Sequence, residues 1–167
     1  MDELRRYATL PNVLAIGECG LDKICNTPWD VQLLAFNQQI QLATTLGKPL
    51  IIHCVRAFGE FLHILKTDEP TVPVIVHGFS RNARIASQLL DAGVYLSFGA
   101  AILNDTSPAA TVLPQVPPEK FFLETDDATT PIAALYKKAA AIRNISEEGI
   151  TLQLQQNFTK TFNYPAH

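Results

Sequence analysis

The sequence is poor in cysteine, in charged residues and in long apolar runs, and each shortage argues against a class of protein. Its three cysteines are an odd number without a C-x-x-C pair, which argues against a disulfide framework and predicts reduced thiols in a cytoplasmic protein. No apolar run is long enough to cross a bilayer, and the start MDELRRYATL lacks the apolar core of a signal peptide. The net charge of −3 gives no general basic surface, so any site for a polyanion must be local.

What the sequence does contain is enough apolar material for one folded domain over residues 1–167, with 47% hydrophobic and 17% charged residues. Short apolar runs rich in β-branched or aromatic residues predict buried parallel strands. There are five of them: VLAIGE (13–18), PLIIHC (49–54), VIVHGF (74–79), VYLSFG (94–99) and FFLETD (121–126).

Helical patterns lie between most of these runs. Thr27 and Pro28 have the residue types of an N-cap and a first helical residue, and a last helix is predicted from about Glu147 to Phe162, with Ile150, Leu154 and Phe158 facing inward. Alternating strands and helices predict an α/β fold with right-handed crossovers. No glycine-rich dinucleotide or phosphate-binding turn is present, and polar residues end several different strands, which favours a TIM-type (β/α) barrel over a doubly wound sheet.

The polar residues at the predicted strand ends have the chemistry of metal ligands. They are Glu18, His53, His77 and Asp126, each on a separate run. One histidine in such a place is more often a hydrogen-bonded core residue, but two histidines and two carboxylates favour a site for Zn²⁺, Mn²⁺ or a similar ion. A cation would also offset the cost of burying the charge of Glu18 at the end of an apolar strand.

Further residues are predicted to support this site. Glu124 lies two residues before Asp126 on the same strand face, and Asp22 follows Glu18 by four residues, so both are candidates to contact the ligands from behind. Cys19 and Cys54 are next to ligands, and they are expected to point to the opposite strand face.

Three residues are predicted to bind substrate phosphate. Arg56 is placed at the start of the helix after His53, and Ser80 and Arg81 at the start of the helix after His77. The alternatives left open are an ordinary surface arginine and ordinary N-capping by Ser80.

The motifs AIGECGLD, IIHCVRA, VHGFS followed by YLSFG, and FFLETDD occur in an order that resembles the TatD family, from about Val13 to Phe162. These are metal-dependent deoxyribonucleases of the amidohydrolase-like superfamily, so the resemblance implies exonucleolytic hydrolysis of DNA with two divalent ions (Mg²⁺, Mn²⁺ or Zn²⁺). It implies that Glu18 bridges the metals, that His53 and His77 bind one of them, and that Asp126 binds the other. Glu18 and Asp126 are then the catalytic candidates, with Asp126 also able to accept a proton from water.

The sequence also departs from that family. It has no His-x-His strand, which in the family holds a metal, and it is shorter than a full barrel by about two strand–helix units. We therefore expect an N-terminally truncated, incomplete barrel that holds one metal or none, and association of copies at the exposed seam. Two alternatives remain: an impaired remnant or interaction module, and a hydrolase of a small amide, ester or lactone. The second is disfavoured because no predicted strand ends in a lysine.

Overall fold

A computed structural model describes residues 2–164 of the chain. These residues form two compact units, which are divided in the sequence between Val76 and His77. The expectation of a single domain over residues 1–167 stays a prediction, and His167 lies outside the described residues.

The first unit is a three-stranded parallel sheet with helices. Its elements are α1 (Asp2–Ala8), β1 (Ile16–Asp22), α2 (Trp29–Leu46), β2 (Leu50–Val55), α3 (Phe58–Asp68) and β3 (Val74–Val76). β2 pairs with β1 on one side and with β3 on the other. One face of the central strand is buried in the core, with Leu50 and Ile52 fully buried, and Phe36 of α2 packs on Phe61 of α3 with 6.1 Å between ring centroids.

β1 differs from its predicted form in a way that matters for Glu18. The strand continues for four residues beyond Glu18, to Asp22, and its register with β2 shifts between Ile16 and Cys19. Glu18 is exposed within this irregular stretch. The expectation that Glu18 is a buried charge was wrong, because the shift in register turns this residue out of the core.

The second unit contains the parallel pair β4 (Tyr95–Phe98) and β5 (Phe121–Leu123). Its helices are α4 (Ala83–Asp91), α5 (Pro108–Val112), α6 (Ile132–Arg143) and α7 (Glu147–Phe162). Short 3₁₀ turns fill much of the rest of the proline-rich region between β4 and β5. Phe79 and Phe98 pack edge to face at 5.7 Å in the core of this unit.

Two side chains from the helices of the second unit bind main-chain carbonyls before and at the start of β5. Arg143 donates to the carbonyl oxygens of Leu113 and Val116, at 2.7 and 2.8 Å. The buried amide of Asn157 on α7 donates to Pro118 and Phe121, at 2.8 and 2.9 Å. These bonds satisfy carbonyl groups in a segment where they have few regular partners, and they fix where β5 begins.

The α/β class with parallel strands is confirmed. Several predicted boundaries were wrong: β3 ends at Val76, β5 ends at Leu123, and α2 begins at Trp29 with Pro28 as its N-cap, so Thr27 caps nothing. The bounds of α7 are confirmed, but Phe158 is 38% exposed rather than turned inward. None of the helices within residues 2–164 combines the length and apolar character required to cross a bilayer.

Candidate metal centre

The close pairing of β1 with β2 places His53 beside the glycine-rich end of β1. Gly20 is the partner of His53 in the ladder, and a Cβ atom on Gly20 would lie 1.8 Å from the His53 carbonyl oxygen. Only a residue without a side chain fits there. Gly20 thus lets the strand run on beside His53.

Asp22, at the end of β1, is the acidic neighbour of His53. One carboxylate oxygen lies 3.6 Å from Nε2 of His53, and the other accepts a hydrogen bond from the main-chain N–H of Ile24. The His53 side chain is 42% exposed, so water screens this contact. Asp22 therefore orients His53 weakly, in the place predicted for a supporting residue.

His77 directly follows β3 in the chain, and its acidic neighbour Glu124 directly follows β5. Nδ1 of His77 lies 3.4 Å from Oε1 of Glu124, and the His77 side chain is only 10% exposed. Two donors hold the Glu124 carboxylate: the main-chain N–H of Gly78 at 2.6 Å and the hydroxyl of the buried Ser97. Glu124 thus contacts His77 and is itself fixed in place, and its role in supporting a metal ligand stays a prediction.

Glu18, His53 and His77 form a group with metal-binding chemistry. Each offers one ligand atom, and the three atoms lie within 4.8 Å of one another. Among residues 2–164 this is the group of His, Cys, Asp or Glu side chains that meets that criterion. Imidazole nitrogens with a carboxylate oxygen suit Zn²⁺ and other divalent first-row ions, so the donor set fits the predicted type of cofactor.

Asp126 lies outside this group. β5 ends at Leu123, and Asp126 stands in the turn that follows, exposed and with a φ of 47°. The expectation that Asp126 and Glu124 share one face of a strand was wrong, because the strand ends before both of them. A role for Asp126 at a metal stays a prediction.

The predicted phosphate-binding residues are not at helix starts. Arg56 is exposed, two residues before α3, with a φ of 53°. Ser80 and Arg81 precede α4, whose N-cap is Asn82, with its side chain accepting from the N–H of Ile85. The placement of these residues at helix N-termini was wrong, and phosphate binding by them now depends on their side chains alone.

The cysteines beside the ligands are buried, as expected for the opposite strand face. Burial raises the pKa of Cys19 to about 12, so its thiol stays protonated at neutral pH. Its sulfur lies 3.7 Å from the carbonyl oxygen of Ile51, and Cys19 is not part of the group of candidate ligands. Cys54 is buried as well, whereas Cys25 is exposed.

Two residues that organise this region left little sign in the sequence. Ser97 stood near the end of a predicted strand, but its bond to Glu124 spans 27 positions. Gln32 of α2 accepts from the N–H of Asp22 and donates to the carbonyls of Asp22 and Thr27, so it holds the loop after β1. Contacts of this kind leave no periodic pattern in the sequence, and only the folded chain reveals them.

The sequence profile of one protein family, described as "TatD related DNase", matches residues 1–163. A metal-dependent hydrolase of uncharacterised function from Buchnera aphidicola is 30% identical, over 99% of this chain and 68% of its own length. The 3'-5' ssDNA/RNA exonuclease TatD from Erwinia billingiae is 35% identical, over 74% of this chain and 49% of that protein. The chain thus spans from about half to two thirds of these relatives.

Solved structures agree with the sequence comparison. The crystal structure of YjjV, a TatD homologue from Escherichia coli, superposes with a TM-score of 0.88 at 25% identity, and the match covers 98% of this chain and 70% of that one. A TatD-family hydrolase from Entamoeba histolytica has the same fold, with a TM-score of 0.83 at 17% identity.

Proposed function

Because the chain belongs to the TatD family of related DNases, we propose that it is a metal-dependent phosphodiesterase that removes nucleotides from the end of single-stranded nucleic acid. The observation that carries the proposal is the group formed by Glu18, His53 and His77, whose ligand atoms lie within 4.8 Å of one another. The relatives named as 3'-5' ssDNA/RNA exonucleases support the substrate class.

These three residues would hold a divalent ion, and the family resemblance of the FFLETDD motif adds Asp126 as a further ligand. A divalent ion bound there supplies two things that phosphodiester hydrolysis needs: it lowers the pKa of a water molecule, and it neutralises charge on the phosphate. Asp126 is proposed to accept the proton that the attacking water loses, since its carboxylate is exposed in a turn close in sequence to Glu124.

Glu124 has a positioning role in this proposal. Oε1 of Glu124 lies 3.4 Å from Nδ1 of His77 and is placed to accept a hydrogen bond from Nδ1–H, which keeps the proton on that nitrogen and leaves the lone pair of Nε2 for the metal. The bonds from Gly78 and Ser97 keep the carboxylate from turning away. Asp22 is proposed to position His53 in a similar way, through a contact that is longer and more exposed.

The test is nucleotide release from a short single-stranded DNA by the purified chain, with Mn²⁺ or Mg²⁺ and with chelator. We expect release that needs the metal and is abolished by His77→Ala, while the exposed His63→Ala on α3 serves as a matched control that keeps wild-type activity. Thermal unfolding of both variants shows whether the fold is kept. Absence of metal-dependent release would contradict the proposal and favour the impaired remnant or interaction module.

We also propose, separately, that copies of the chain associate with one another. Light scattering of the purified chain at several concentrations tests it, and a monomeric mass throughout would contradict it.

A further inference from the structure

A cleft of about 400 Å³ opens beside the loop that follows β1, and the proposed hydrolysis makes no use of it. Trp29, Lys23 and Glu60 form part of its lining, and Asp22 lies at its edge towards His53. The volume falls in the range of pockets that take one small ligand or one unit of a polymer. All the lining residues belong to the first unit.

The walls of the cleft favour an aromatic ligand over a free anion. Trp29, half-buried at the start of α2, has Nζ of Lys23 5.6 Å from its ring centroid. Lys23 also binds the carboxylate of Glu60, and that hydrogen bond lowers the pKa of Glu60. With two carboxylates against one ammonium, the lining does not attract phosphate. The indole is therefore the surface available for recognition.

The loop that carries Lys23 is held in place before any ligand arrives. The side chain of Gln32 accepts from the N–H of Asp22 at 2.8 Å and donates to the carbonyls of Asp22 and Thr27 at 3.0 and 2.8 Å. A ligand entering the cleft thus meets walls that are already ordered, which reduces the entropy lost on binding.

The cleft is also next to the candidate metal ligands. Asp22 is part of the lining of the cleft, and its carboxylate lies 3.6 Å from Nε2 of His53. Because each base of a strand is joined to its phosphodiester through one sugar, a strand held at His53 brings a base to the side of the site where Asp22 lines the cleft.

We propose that this cleft binds one nucleobase of a single-stranded substrate, stacked on the indole of Trp29. This inference takes its class of substrate from the proposed function, and it adds the residue that binds the base. Stacking on an aromatic face accepts any base, so the cleft gives affinity without sequence preference. The competing role of Trp29 is that of an anchor for the first turn of α2.

The chain offers a direct test because Trp29 is its only tryptophan. Its fluorescence is titrated with a short single-stranded DNA in the presence of chelator, so that no strand is cleaved. We expect saturable quenching by the normal strand and none by an abasic strand of equal length and charge. Equal quenching by both, or none by either, would overturn the inference.

Kinetics provide the second readout. Trp29→Ala is expected to raise KM for the oligonucleotide about 5- to 100-fold, the effect of losing one base–aromatic stack, with kcat little changed. Trp29→Phe should restore most of the affinity, and Tyr7→Ala, which removes an exposed aromatic ring of α1, should have no effect. A Trp29→Ala variant with unchanged KM would show that Trp29 serves only as an anchor.

The two proposals can fail separately. Quenching that needs bases, without any hydrolysis in metal, would support the cleft and contradict the proposed function. Hydrolysis without quenching would support the proposed function and contradict the binding of a base in the cleft.

Discussion

His53 and His77 each have an acidic neighbour, yet the two pairs are built differently. Asp22 lies 3.6 Å from a His53 side chain that is 42% exposed, whereas Glu124 lies 3.4 Å from a His77 side chain that is 10% exposed. The Glu124 carboxylate has two further donors, Gly78 and Ser97, one on each oxygen. Both pairs combine a histidine with a carboxylate, but the pair of Asp22 and His53 is held loosely. The pair of Glu124 and His77 is fixed by the further donors to its carboxylate.

The glycines near the two histidines differ as well, and they give the largest expected effect. Gly20→Ala should lower the free energy of unfolding by at least about 3 kcal/mol, because its Cβ would lie 1.8 Å from the carbonyl oxygen of His53. Gly78→Ala should cost about 1–2 kcal/mol, because only its φ of 57° is unfavourable and its Cβ would meet nothing closer than 3.9 Å. Urea unfolding of both variants measures the difference. Equal losses would contradict the packing argument.

Glu124→Gln should lower metal affinity or the rate of hydrolysis about 10- to 100-fold. The substitution keeps the shape of the side chain but turns an amide N–H₂ towards Ser97 or Gly78, both of which are donors. Calorimetric titration with Mn²⁺ and nucleotide release are the measurements. Glu148→Gln, in the exposed first turn of α7, is the matched control, and a similar effect in both variants would argue against a positioning role.

The thiol next to Glu18 gives a prediction about pH. Burial raises the pKa of Cys19 from 9.0 to about 12, so between these values the unfolded chain loses a proton that the folded chain keeps. The free energy of unfolding should then fall by about 1.4 kcal/mol per pH unit above pH 9 because of this group. Below pH 9 its contribution is constant. Cys19→Ala should lose this slope and the exposed Cys25→Ala should keep it; parallel curves for all three proteins would contradict the assignment.

Asp22→Asn is expected to have the smallest effect, a loss of activity of no more than about 5-fold, because an exposed contact contributes little. The oxygen that accepts from Ile24 is kept by the asparagine. Asp30→Asn, on the exposed first turn of α2, controls for the loss of one negative charge. A larger loss for Asp22→Asn than for Glu124→Gln would reverse the comparison between the two pairs.

Features that depend on local sequence could be predicted. The bounds of α7 follow from the cap at Ser146 and the apolar spacing of Ile150 and Leu154, both within one helix. His53 and His77 could be predicted to lie near each other because each follows an apolar run, and neighbouring parallel strands bring residues at equivalent positions together. The α/β class follows from the same alternation.

Features that depend on contacts between residues far apart in the sequence could not be predicted. The predicted strand ended at Glu18, whereas the folded chain uses Gly20 to let β1 approach β2 and continue to Asp22. The carboxylate of Glu124 was placed near the site, but its partners Ser97 and Gly78 are 27 and 46 positions away. The periodicity of a strand (two residues) or of a helix (3.6 residues) carries no information about contacts between residues so far apart in the sequence.

Asn157 has a consequence for the order in which the chain matures during synthesis. Its amide on α7 supplies donors to the carbonyls of Pro118 and Phe121, at the start of the strand that Glu124 follows. A nascent chain that has emerged as far as Glu124 lacks those donors, while the pairing of β1 with β2 needs nothing beyond Val55. The ladder beside His53 can therefore form earlier on the ribosome than the bonds that Asn157 makes at the start of β5.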